Sequence, residues 1–237
     1  MVEFSRNVTY NPTHLESQSF MDFSKSSRSV LCYTAATDTK ISPVFYDYST
    51  PKNPVEFHLE LDHVGKTSYC MKTQFFFEGI EEPVVENKYT MVFIDSESMK
   101  SSQPPEWWKE KYASGLEKRQ GLKIPRNVIP ETGVLFGKQV QIAASNLDQF
   151  LHTNWSNYLK FCYDALVEYE VKKLGQENIL NSFRKVKQFS LLFLQESSLM
   201  DTLDVQLWKD QENPYLFKFK VLKKTEDVCD CQIEFHS

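Results

Sequence analysis

Four side chains in the second half of the 237-residue chain stand at spacings that suit proton transfer. They are Asp148, His152, Asn154 and Tyr158, in the pattern D-x-x-x-H-x-N-x-x-x-Y, and Glu196 follows further on. A carboxylate can take a proton from water or attack an electrophilic carbon itself, and an imidazole can pass a proton on. The stretch leads directly into an apolar-periodic segment. The first N–H groups of a helix there would lack intrahelical partners and carry partial positive charge, which suits a developing oxyanion. Taken singly, each residue has a plainer role. Asp148 and Asn154 serve as helix caps, His152 as a satisfied core histidine and Glu196 as a solvated strand-end carboxylate. Asp201 reads as a turn residue. The joint spacing is what favours chemistry over capping.

These residues need a helix and strands to hold them. Trp155, Tyr158, Leu159, Cys162, Ala165, Leu166 and Tyr169 recur at three- and four-residue intervals and predict a helix over 153–174. Thr153 or Asn154 can cap its start. Lys172 and Lys173 suit the negative end of its dipole, and Gly175 can end it. Period-two alternation predicts strands around it. Val140 and Ile142 mark one over 138–144, and 186–194 is a denser, more buried run. Leu203, Val205 and Leu207 mark another, then Tyr215, Phe217, Phe219 and Val221, then Cys229, Cys231, Ile233 and Phe235. Short connections make these neighbours antiparallel. A sheet in that order buries its apolar face by curling around the helix.

The first half partly repeats the order. Val55, Phe57, Leu59 and Leu61 alternate, as do Tyr69, Met71, Thr73, Phe75 and Phe77, with a turn at 64–67. Tyr89, Met91 and Phe93 mark a further strand, and 45–48 a short one. A Ser-rich segment, 18–36, stands where the preceding helix is expected. Residues 96–132 carry Ser, Pro and charge and read as a connector, with a short helix near 107–116. The expected organisation is a first module over 1–95, a linker over 96–132 and a second module over 133–237.

Composition narrows the function classes. Charged residues make up 25%, and the formal charge of −5 argues against a general nucleic-acid binder. No apolar run reaches the roughly 20 residues of a membrane helix. Seven glycines are few for a Gly-rich phosphate-binding fold. The N-terminus lacks an apolar core of signal-peptide length. Five cysteines at irregular spacing (Cys32, Cys70, Cys162, Cys229 and Cys231) do not form a secreted disulfide framework, so a reducing compartment, the cytoplasm, is expected. Cys229 and Cys231 face one side of a strand and read as small packed residues rather than metal ligands. No metal or separate cofactor is expected.

The Asp148, His152, Asn154, Tyr158 pattern resembles the signature of hotdog-fold thioesterases, of the 4-hydroxybenzoyl-CoA and acyl-acyl-carrier-protein types. Residues 193–203, with Glu196 and Asp201, look like the strand of the carrier-protein enzymes that bears a Glu and then an Asp. Residues 61–68, and Ile94-Asp95 followed by Pro104-Pro105-Glu106, resemble the hairpin and exit of such a module. The resemblance implies an α+β chain, a tandem hotdog in which each curved antiparallel sheet wraps a long helix. It implies an acyl thioester of coenzyme A or a carrier protein as substrate, with Asp148, His152, Asn154 and Glu196 in catalytic positions. One site per chain is expected, on the second module and closed by the first. Such an intrachain pseudo-dimer replaces a homodimer, and pairs of chains could still associate. Lys66, Lys160, Arg184 or Lys185 could meet a phosphate of the carrier. Two departures stand out: Phe150 occupies the place of a family Asn, and Asn146 that of a frequent Asp. Phe150, together with the lack of a matching motif in the first module, leaves open a non-catalytic tandem-hotdog module that binds acyl chains or another protein.

Overall fold

The computed structural model describes residues 30–116, 118–148, 150–176 and 183–237. They fall into two compact units: residues 30–37 and 48–123 in the first, 38–47 and 124–237 in the second.

In the first unit, β1 (Val30–Ile41) supplies its opening residues beside β2 (Val55–Val64), β3 (Ser68–Phe77) and β4 (Val85–Asp95), in the order β2-β3-β4-β1. The β2–β3 and β3–β4 pairs are antiparallel, and Gly65 N–H donates to the Ser68 carbonyl (2.7 Å) in the tight turn between β2 and β3. The alternation read from sequence is the burial pattern: Tyr69, Met71, Thr73, Phe75 and Phe77 are all buried. Helix α1 (Glu106–Tyr112) brings Trp108 into this core, its ring centroid 5.2 Å from Phe93 and 5.7 Å from Tyr69.

Two expected elements differ. The helix expected over 18–36 lies outside the described residues as far as 29, and from Val30 onward the chain is strand β1. Its threonines favour a pleated surface, and the buried Thr37 Oγ1 accepts a 2.8 Å bond from Asn87 Nδ2 on β4. The strand expected over 45–48 is instead a 3₁₀ turn, Pro43–Tyr46. Pro43 has no N–H for a ladder and its fixed φ suits a helical first position.

In the second unit, the end of β1 is followed by β5 (Phe136–Gln141), α2 (Trp155–Leu174), β6 (Val186–Phe193), β7 (Thr202–Lys209), β8 (Leu216–Lys223) and β9 (Glu226–Phe235). Their order is β1-β6-β9-β8-β7-β5, and the β6–β9, β9–β8, β8–β7 and β7–β5 pairs are antiparallel. Helix α2 packs on β5, β7 and β9. Its Cys162, Ala165 and Leu166 share one core with Leu203, Val205, Phe219 and Ile233. Cys229 and Cys231 are fully buried in it, and burial pushes both thiols well up. The expected strand over 138–144 stops at Gln141, and Ala144–Asn146 forms a 3₁₀ turn.

The segment before β5 is pinned across this sheet. Asn127 Nδ2 donates to the carbonyls of Phe219 and Cys231 (2.9 Å each). Arg126 Nε (2.7 Å) and Asn127 N–H (2.9 Å) both donate to Oδ2 of Asp230, a residue only 1% exposed. Among the described residues, no helix is long and apolar enough to cross a membrane.

Candidate active site

The candidate residues sit on the loop between the Ala144–Asn146 turn and α2, and on the turn after β6. Single antiparallel bridges, Leu147 to Thr153 and His152 to Ser198, tie the loop to itself and to that turn. Thr153 N–H donates to the Ser197 carbonyl at 2.8 Å.

Asp148 is half-buried and organises the loop. Its Oδ1 accepts the N–H of Phe150 (2.8 Å) and of His152 (3.3 Å), while its own N–H donates to the His152 carbonyl (2.9 Å). The loop thereby closes on itself, with Leu151 at φ +62°, a left-handed conformation that a leucine seldom adopts. Both carboxylate bonds fall on Oδ1.

His152 Nε2 lies 3.3 Å from Glu196 Oε2, and the Glu196 side chain is 62% exposed. The imidazole thus meets the Glu196 carboxylate, and the Asp148 carboxylate bonds the backbone N–H of the same histidine. Asn154 caps α2: its Oδ1 accepts from Ser156 N–H (3.0 Å) and Ser156 Oγ (2.7 Å), and its carbonyl accepts from Asn157 N–H (2.9 Å). The Ser156 and Asn157 N–H groups at the helix start are thus satisfied within the helix. Asn146 steadies the same corner. Its carbonyl accepts from Asn154 N–H (2.8 Å) and Asn157 Nδ2 (2.9 Å). Phe150, in the place of a polar family residue, is exposed.

A buried hydroxyl chain that the motif does not mark lies behind these residues. Ser197 Oγ donates to Thr153 Oγ1 (2.8 Å), so the Tyr158 hydroxyl donates to Ser197 Oγ (2.7 Å). Burial pushes the Tyr158 phenol up to about 12, which keeps it a neutral donor. Nothing in the local sequence marks Ser197; the residue only matters because folding brings it under the helix start. Asp201 is a turn residue, as expected, accepting from Ser198 N–H (2.9 Å) and from Lys223 Nζ (3.3 Å).

Of the candidate phosphate contacts, Arg184 is committed elsewhere. It pairs with Glu170 and stacks over Phe217 (4.9 Å) and Phe235 (4.3 Å). Lys66 lines a cleft of about 370 Å³ in the first unit with His63 and Lys109. Lys160 lines an apolar cavity beside α2. Among the described residues no cluster of His, Cys, Asp and Glu has the arrangement of a metal site.

No protein-family model matches the chain, and no curated protein matches it in sequence. Solved structures do match. The 12:0-ACP thioesterase from Umbellularia californica superposes with a TM-score of 0.71 over 99% of this chain and 88% of its own, at 11% identity. An acyl-ACP thioesterase from Bacteroides thetaiotaomicron gives 0.61 over 88% of this chain and 77% of its own, at 14% identity. At such identities the likeness is one of backbone, and the fold of this chain is the hotdog fold found in those thioesterases.

Proposed function

We propose that the chain hydrolyses acyl thioesters, carried by coenzyme A or an acyl carrier protein, to free acid and thiol. The observation that carries this reading is the His152–Glu196 pair, 3.3 Å apart, which joins the loop that Asp148 closes at the positive end of α2 to the turn after β6. In this reading Asp148 takes a proton from water through Oδ2 as the water oxygen adds to the carbonyl carbon. The carbonyl electron pair moves to oxygen, where the imidazole and the α2 dipole oppose the new charge. The pair then returns, the carbon–sulfur bond breaks, and the departing thiolate takes the proton that Asp148 removed from water, which leaves Asp148 the carboxylate it began as. Glu196 holds the imidazole through Nε2, and Asn154 fixes the helix start against which the carbonyl lies. The two units are read as two hotdog modules, with this site on the second.

A second reading has its own support. Phe150 stands exposed where a polar residue would assist, and Asp148 Oδ1 is occupied by backbone N–H groups. Both fit a module that binds acyl chains without cleaving them.

A panel of acyl-CoA and acyl-carrier thioesters, followed by release of free thiol, separates the two. Asp148→Asn preserves an acceptor oxygen for the loop but no longer takes up the proton. It should lower turnover by about 10²-fold or more with an unchanged circular dichroism spectrum. Equal turnover in a folded Asp148→Asn protein removes the mechanism, and no thiol release from any substrate favours the binding module.

A further inference from the structure

The β2–β3 hairpin of the first unit carries a second group of chemistry-bearing side chains, which the proposed reaction does not use. The pairing with β3 slips between Leu61 and His63, so β2 holds one extra residue there. Leu61 and Val64, three residues apart, both pack into the first-unit core. In an unbroken strand they would face opposite sides. The bulge thus turns His63, the neighbour of core-facing Val64, off that face, and re-aiming a side chain is a common use of bulges. His63, Gly65 and Lys66 line a cleft of about 370 Å³ together with Gln103 and Lys109, wholly within the first unit. Val64 and Ala113 supply its apolar part, and no carboxylate is among the described residues that line it.

The polar groups of the cleft are held in place. His63 Nδ1 donates to the Leu116 carbonyl at 3.1 Å. A carbonyl only accepts, so the ring proton sits on Nδ1, and Nε2 is the nitrogen left to meet a ligand. The ring is seated against two glycines. A Cβ on Gly121 would stand 2.7 Å from His63 Cδ2 and 3.1 Å from Nε2, and one on Gly65 would stand 3.6 Å from Nε2. Two missing side chains thus leave room at that nitrogen. Lys109 Nζ donates to Gln103 Oε1 at 2.7 Å, which keeps the Gln103 amide N–H groups for other partners. Glu106 Oε2 lies 3.7 Å from the same ammonium, but its side chain is 77% exposed.

We propose that this cleft binds a phosphate monoester. Such a group carries a charge of about −1.5 to −2 near neutral pH, and the two ammonium groups of Lys66 and Lys109 match it. Lysine serves phosphate as a point charge. His63 Nε2 shares one proton with the ligand: the neutral ring accepts the proton of a monoanion, and the charged ring donates to a dianion. A carboxylate brings a single charge and no such proton. Val64 and Ala113 lie against the organic part of the ester. The claim is one of binding and stands apart from the thioesterase reading. The phosphate has two sources, a free phosphate ester or the 3′-phosphate of coenzyme A.

The test is calorimetric titration of the full chain with glycerol 3-phosphate at fixed ionic strength. Binding should be saturable, and acetate should not displace the ester. Lys66→Gln and Lys109→Gln should each weaken it about tenfold. Gly121→Ala changes no charge but presses a methyl group on the His63 ring, and should also weaken binding. Glu106→Gln removes a competing carboxylate and should strengthen binding about twofold. Displacement by coenzyme A but not by its 3′-dephospho form upholds the site with the carrier phosphate as source; displacement by neither upholds it with a free ester as source. Displacement by both, or by acetate, would overturn the monoester assignment. No saturable binding at millimolar ester, or equal affinity in folded Lys66→Gln and Lys109→Gln proteins, would overturn the inference as a whole. Thiol release is not a readout, so a protein that cleaves no thioester but binds the ester in this way loses the hydrolase reading and keeps the cleft.

Discussion

Tyr158 on α2 and Ser197 after β6 share a 2.7 Å hydrogen bond between buried side chains. Ser197 passes the chain of bonds to Thr153, the residue after His152, and its carbonyl accepts the Thr153 N–H. The position of His152 therefore depends on a serine with no part in the motif. Ser197→Ala leaves the Tyr158 hydroxyl buried without its acceptor and should cost about 1–3 kcal/mol. Tyr158→Phe removes the donor as well and should cost less, about 1 kcal/mol. Chemical denaturation of the two variants checks the order; a larger loss for Tyr158→Phe would contradict it.

Glu196 holds the His152 imidazole from a mostly exposed position. An ion pair that meets water contributes little to folding. Glu196→Gln should leave the melting temperature close to that of the parent while thiol release falls about 10²-fold. A parallel loss of stability and activity would make Glu196 a structural residue.

Arg126 is the guanidinium partner of the buried Asp230 carboxylate. Its side chain is about half exposed, and Asn127 N–H also serves the same oxygen. Arg126→Met strands part of the carboxylate charge and should destabilise by about 2 kcal/mol, less than for a fully buried pair. The Arg126→Met, Asp230→Asn double variant should recover part of that loss, because no uncompensated charge stays behind. Denaturant titration of the single and double variants measures both effects.

Acid should act through carboxylates that folding holds below their ordinary range. The Ser198 N–H, and then Lys223, hold Asp201 down; Lys218, at 2.6 Å, holds Asp210 down, aided by the Asn213 N–H. Each binds its proton more weakly folded than unfolded. Their contribution is therefore fully present above the ordinary value of 3.8 and is lost as pH falls through the lower folded value. The stability gap between the parent and Asp201→Asn or Asp210→Asn should be wide near about pH 6 and narrow below about pH 3. A gap that widens on acidification would reverse the sign. Thermal melts across that range decide it.

Elements with a local signal are legible in the chain alone. Helix α2 follows from an apolar stripe of period 3.6, its Asn154 cap and Gly175 at its end. Strands β7, β8 and β9 follow from strict alternation, because each buries a single face for most of its length. Local signal gives out where a distant partner decides conformation. Residues 30–36 carry Thr34 beside Ala35 and Ala36, are locally ambiguous, and become strand in β1, where Thr37 meets Asn87 fifty residues away. At the site, spacing placed Asp148, His152 and Asn154 on one loop, since that loop runs only from Leu147 to Asn154. That the imidazole faces Glu196 while Asp148 serves backbone N–H groups comes from folding. A hydrogen bond is set by direction over about 3 Å, and chain spacing fixes no such direction between a loop and the turn of a different strand. The hydroxyl of Ser197 was invisible for the same reason: it acts on a partner that only folding brings within reach.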